Sequence, residues 1–192
     1  GTTKEIYSNN NGAESTVATG LTAFGTDGFT LGSSSGVNHN SGTYVSWNWK
    51  AGAAFSNNAG TNGATIASTG KVNTTAGFSI VSFVGNQTSG ATVAHGLGAV
   101  PKVVIIKGRD SALDWRSYFA PVGHTKYMTL NTTEAGTTAS NFMNDTAPTS
   151  TLFSLGNGET PNKNGENYIA YCFAEKTGYS KFGSFEGNNN AD

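Results

Sequence analysis

The stretch NYIAYCFAE at residues 167–175 decides the fold class. It mixes aromatic and β-branched residues, too short for a helix and flanked by Gly165 and Gly178, as a buried strand requires. Segments of the same character lie at residues 43–50 (TYVSWNWK), 78–84 (FSIVSFV), 102–107 (KVVIIK), 127–131 and 152–155. Gly, Asn, Ser or Pro clusters separate them. No stretch sustains an apolar stripe at helical period; residues 110–118 hold the best candidate for one helical turn. Short strands with frequent turn signals predict an all-β, antiparallel β-sandwich of jelly-roll or concanavalin-A-like type.

Composition agrees. Charged residues make up 12% of the 192, against about 25% in an ordinary globular chain. Hydrophobic residues are 36% and aromatics 11%, enough for a core and too many for a disordered tail. The net charge of −1 comes from scattered groups, so no basic footprint for nucleic acid exists and no nucleic-acid partner is expected. Cys172 is the sole cysteine, which excludes an internal disulfide and leaves stability to sheet packing. No apolar run is long enough for membrane insertion as a helix. Gly1 in place of Met reads as a processed or excised end.

Sliding the chain by 124 positions aligns residues 6–50 with 130–174 without a gap. Gly12 meets Gly136, Phe29 meets Phe153, Gly32 meets Gly156, Asn38 and Asn40 meet Asn162 and Asn164, and Tyr44 meets Tyr168. A second echo relates Gly77-Phe78-Ser79 to Gly178-Tyr179-Ser180, each reaching a Gly-Asn pair at 85–86 or 187–188. This internally repeated module implies boundaries. Residues 1–50 close a first module, 51–76 form a Gly/Thr/Asn-rich linker or long loop, 77–175 make a full module, and 178–192 open a further one. The alternative is a single sandwich domain that includes them all.

Alternation along residues 44–50 puts Val45, Trp47 and Trp49 on one face. The copy puts Ile169, Tyr171 and Phe173 there, so this large apolar face is expected to form the core. Cys172 falls on the other face with no histidine near it in sequence, an unreactive position. His39, His95 and His124 are too far apart in sequence for a usual zinc site, and no Asp-rich loop suggests calcium. No metal or cofactor is expected. His95, within the turn-forming AHGLG, is expected to hydrogen-bond that turn. Asp110 and Asp114 are the carboxylates an enzyme would use, but the Glu-x-Asp-x-x-Glu cluster of jelly-roll glucanases is missing. Asn-x-Ser/Thr at Asn73, Asn86, Asn131 and Asn144 follows from an Asn- and Thr-rich composition.

The strings GFSIVSFVGN, VAHGLGAVPKVVIIKGRD with Asp114-Trp115, TLFSLGNG, NYIAYCFAE and GYSKFGSFEGN resemble repeat modules of virion structural and tail-fibre proteins of marine tailed phages. Similar proteins are often labelled as having a concanavalin-A-like lectin/glucanase fold. The resemblance implies a non-enzymatic module at the virion surface, outside the cell: tail fibre, receptor-binding or capsid decoration. Its partners would be other virion proteins or a host surface glycan, and it would assemble as a homo-oligomer. For a glycan, the candidate ligand-binding residues are Asn38, His39, Asn40, Asn162, Lys163 and Asn164 in equivalent polar loops, with Trp115 and Tyr118 as stacking surfaces. A spacer or cement module, a carbohydrate-active enzyme and a bacterial adhesin remain the other readings.

Overall fold

The structure, a computed structural model, describes residues 1–189. The first fifty residues carry β1 (Lys4–Glu5), β2 (Ser15–Thr16), β3 (Leu21–Phe24), β4 (Phe29–Leu31) and the single helical turn α1 (Ser35–Asn38). Next come β5 (Ala53–Asn57), β6 (Ser68–Asn73), β7 (Phe78–Val84), β8 (Ala91–Ala94), β9 (Val103–Gly108), β10 (Arg116–Phe119), β11 (Lys126–Thr129) and β12 (Thr137–Thr138). The turn α2 (Ser140–Met143), β13 (Leu152–Leu155), the turn α3 (Glu159–Asn162) and β14 (Asn167–Phe173) complete the order.

Eight strands form one antiparallel sheet in the order β12-β11-β10-β9-β14-β7-β6-β5. Within it β14 pairs along its whole length with β7 on one side and along most of it with β9 on the other. The register sets Tyr168 opposite Phe83 and Gly108, Ala170 opposite Val81 and Ile106, and Cys172 opposite Ser79 and Val104. These residues face a second layer made of the β8–β13 ribbon and α2. Val93, Phe153, Leu155, Phe142 and Met143 meet Val81, Phe83, Val104, Ile106 and Tyr168 in one dry core. The rings of Phe83 and Tyr168 stack 5.2 Å apart, and Phe153 meets Phe83 edge-on at 6.0 Å.

The chain is therefore all-β with a large antiparallel sheet, as its composition requires, but several sequence expectations are corrected. The inward face of β14 is Tyr168, Ala170 and Cys172, and Ile169, Tyr171 and Phe173 lie on the other side, half-buried. Large side chains on both faces remove the direction from the alternation, and the Tyr168 hydroxyl finds backbone partners inside. Residues 51–76 are not a linker. They hold the β5–β6 hairpin at the sheet edge, where small residues suffice because Phe55, Val72 and Ile66 are the large apolar side chains of this segment that reach the core. Phe55 lies across Gly70, where a Cβ would come within 2.8 Å of the ring and 2.1 Å of the Ile80 carbonyl.

Residues 43–50 form no strand, and Trp47 is 77% and Trp49 54% exposed, so they are not core. A strand needs a neighbour to accept its backbone groups, and none is supplied there. Residues 110–115 are a loop and 116–118 belong to β10, not to a helix: Asp110 bonds to Asn167 at the start of β14, and Asp114 to Asn131. Of the segment 178–192, residues 190–192 lie outside the described residues.

Exchanging the two faces gives a sharp contrast in urea unfolding at low protein concentration. Phe83→Ala is expected to lose about 3–5 kcal/mol, as a fully buried ring does. Trp47→Ala is expected to change stability by no more than about 0.5 kcal/mol, as at other exposed positions. Comparable losses from both would contradict this assignment of the core.

Candidate functional site

The second face of the large sheet is apolar and only partly covered. Phe78 and Phe173 are cross-strand neighbours with ring centroids 5.0 Å apart. Trp49 lies against both, at 6.3 and 6.2 Å, and Phe182 approaches Phe173 at 6.2 Å. Together with Val103, Ile105 and Phe119 these rings enclose a groove of about 550 Å³. The groove exists because β14 and β7 carry large side chains outward as well as inward, and the chain segments before β5 and after β14 fold back over them.

Polar contacts tie the first segment down at the other end of that face. Glu14 accepts from Arg109 Nε at 2.8 Å and from its Nη2 at 3.1 Å, while the Glu14 amide donates to the Arg109 carbonyl at 2.8 Å. The Arg109 guanidinium holds the Glu14 carboxyl below its ordinary range. The buried Lys107 ammonium donates to the Gly108 carbonyl at 2.6 Å and the Asn11 carbonyl at 3.3 Å. Burial lowers its pKa, and the Glu166 and Asp114 carboxylates oppose that shift. Trp115 Nε1 donates to the Tyr7 carbonyl at 2.9 Å, and its ring stacks on Tyr171 at 6.2 Å.

The ligand-binding candidates divide. Asn38, His39, Asn40 and Asn164 are exposed, and Lys163 is partly exposed with Nζ 3.3 Å from Ser111 Oγ. Asn162 is fully buried: its Nδ2 donates to the carbonyls of Thr88 and Gly156 and its Oδ1 accepts from the Asn86 amide. Trp115 and Tyr118 are also buried and offer no open ring for stacking. No hydrogen bond among the described residues links the 38–40 and 162–164 loops. The groove aromatics Phe119, Tyr179 and Phe182 were not singled out by sequence. Phe119 lies on the reverse of β10 and Tyr179 and Phe182 in the segment after β14, placements that no local sequence signal gives.

Asp110, Asp114, Glu166, Cys172 and His95 are engaged structurally. Asp110 Oδ2 accepts from the amide and the Nδ2 of Asn167, both at 2.8 Å. Asp114 accepts from Asn131 Nδ2 at 3.0 Å and lies 3.5 Å from Arg116. Glu166 accepts from the Asp110 and Ser111 amides and the Ser111 hydroxyl. Burial pushes the Cys172 thiol up to about 12, well away from a thiolate nucleophile. His95 is fully buried; the Leu97 amide donates to its Nδ1, which leaves Nε2 as the protonated nitrogen facing the Thr149 carbonyl. Among the described residues no three His, Cys, Asp or Glu side chains come together as a metal site.

One arrangement occurs at two places, 124 residues apart. The Asn38 amide group donates to the Gly32 carbonyl at 2.8 Å, and Asn162 donates to Gly156 at 2.9 Å. The Tyr44 hydroxyl donates to the Ser35 carbonyl and accepts from the His39 amide, as Tyr168 does with Glu159 and Lys163. The Gly42 amide reaches the His39 carbonyl, as Glu166 reaches Lys163. The turns α1 and α3 and the strands β4 and β13 occupy matching positions. Beyond the tyrosine the two stretches part, into an unpaired exposed segment and into β14.

A family model described as a domain of unknown function (DUF7483) matches residues 1–192. No curated protein and no solved structure matches the chain.

Acid sensitivity should arrive in two steps. Burial holds His95 below its ordinary 6.5, so the unfolded chain takes up the proton first and stability falls as pH drops below about 6.5 toward the folded value. Glu14, lowered from 4.5 by Arg109, keeps its contribution above about pH 4.5 and loses it as pH falls through its folded value. His95→Gln should flatten the upper step of a urea-midpoint profile and Glu14→Gln the lower one. An upper step that persists in His95→Gln would assign it elsewhere.

Proposed function

We propose that this chain, which belongs to the DUF7483 family, is a non-catalytic module at the surface of a tailed-phage particle, built from a repeated β unit. In this reading it acts through contacts with other virion proteins or with a host surface glycan, as part of a tail fibre, receptor-binding protein or capsid decoration. The observation that carries it is the nature of the open surface. Its open apolar surface lies around Trp47, Trp49, Tyr179 and Phe185, whereas Asp110, Asp114, Glu166, the Cys172 thiol and His95 are bonded or sealed inside. Apolar surface of this kind marks sites of association. The recurrence of one turn 124 residues apart supports the repeated unit, and the β8–β13 layer facing the large sheet supports a sandwich of jelly-roll or concanavalin-A-like kind. Many copies on one particle would gain strength by multivalency where each contact is weak.

An antibody raised against the chain should decorate intact tailed particles in electron micrographs. Label confined to cell debris or to bacterial envelopes would overturn the location, the latter in favour of an adhesin. On a glycan array, binding weakened by alanine at Asn38, His39, Asn40 or Asn164 would identify the host-facing role; a blank array with labelled particles would identify a contact between virion proteins.

A further inference from the structure

The matching stretches at residues 44–50 and 168–174 differ in one respect: β14 has two neighbours and its counterpart has none. No backbone-to-backbone hydrogen bond among the described residues involves residues 43–50, although Val45 is 80% and Trp47 77% exposed. The second sequence echo gives the complementary half. Residues 179–188 (YSKFGSFEGN) correspond to residues 78–86 (FSIVSFVGN), with Phe185 in the place of Phe83 and one residue inserted. Tyr179 and Ser180 turn back onto Lys176, but among the described residues no backbone-to-backbone hydrogen bond involves residues 181–187, and Phe185 is 95% exposed. Inside the molecule the originals of these two stretches, β14 and β7, are partners over seven residue pairs. The chain thus presents a β14-like segment without its β7 and a β7-like segment without its β14.

We propose that residues 181–187 of one copy of this chain pair antiparallel with residues 44–47 of a second copy, reproducing part of the β7–β14 ladder between molecules. Transferring the internal register places Phe185 opposite Tyr44 and Ser184 opposite Val45, with Lys181 opposite Trp47. The Tyr44 ring, already fixed by its two hydroxyl hydrogen bonds, then receives Phe185 as Tyr168 receives Phe83. The extra residue near Phe182 is taken up as a bulge. Unpaired strand edges are a template for this kind of addition, with main-chain bonds giving affinity and side-chain pairs giving register. Because the donated and accepting segments differ, the contact is head-to-tail and repeats from copy to copy, as a closed ring or an open string.

This inference deepens the repeat-module reading and is independent of where the module resides. Two variants of the full chain test it: Val45→Asp spoils the accepting segment and Phe185→Asp the donated one. Both positions are exposed, so the monomer should keep its fold, checked by circular dichroism and the urea midpoint. By native mass spectrometry and light scattering, the unaltered chain should grow into multimers as concentration rises, and each variant alone should stay monomeric. An equimolar mixture of the two should form dimers and nothing larger, since only one productive contact remains. A wild-type chain that stays monomeric, as pairing within one molecule would require, overturns the proposal. So do variants that still self-associate, or a mixture that gives no dimer or grows beyond it. Failure here leaves particle labelling unaffected, and failed labelling leaves this result unaffected.

Discussion

The double pairing of β14 is the constraint on which the molecule rests. A strand with large apolar residues on both faces cannot lie at an edge or a surface without exposing them. It is stable only with a ladder on each side and cover above and below. β7 and β9 supply the ladders, and the β8–β13 ribbon with α2 supplies one cover. The other cover comes from segments outside the main sheet, which explains why residues 1–16, Trp49 and Phe182 lie where they do.

The cover is incomplete, and its two ends are held by different physics. Near Arg109 the attachment is polar and directional, with a two-nitrogen contact from the guanidinium to Glu14 and two carbonyls for Lys107. Such groups lose much of their hydration on burial, so they fix geometry more than they add stability. Near Phe173 the attachment is a cluster of rings, with no ion pair among the described residues. Apolar contact without direction tolerates rearrangement, and the groove lies at that end.

Much of the fold was legible in the sequence because strand composition and glycine punctuation are local signals. Phe78–Val84 and Leu152–Leu155 stand where composition places them, and Asn167–Phe173 falls short of its expected end by two residues. What was not legible depends on distant partners. The inward face of β14 could not be chosen from alternation when Tyr168, Tyr171 and Phe173 all carry large rings. β5 and β6 are recruited by β7, so their Ser, Thr and Gly read as loop until that neighbour is known. Among the candidate site residues, Asn38 and Asn162 stand 124 residues apart at matching positions and make the same bond to a glycine carbonyl, yet one is exposed and the other sealed.

That pair separates local from conditional structure. The turn around α1 and the turn around α3 form alike because their hydrogen bonds close within about a dozen residues, at little loop-entropy cost. The strand that follows obtains its stability from partners many residues away. When β7 and β9 are present, Tyr168 through Phe173 become the centre of the sheet. Where no partner lies alongside, Tyr44 through Trp49 keep the turn and lose the ladder, with Trp47 outward and Trp49 laid on Phe78 and Phe173. Identity of sequence pattern therefore fixes how the chain bends before the strand, and the supply of a neighbouring edge fixes whether the strand exists.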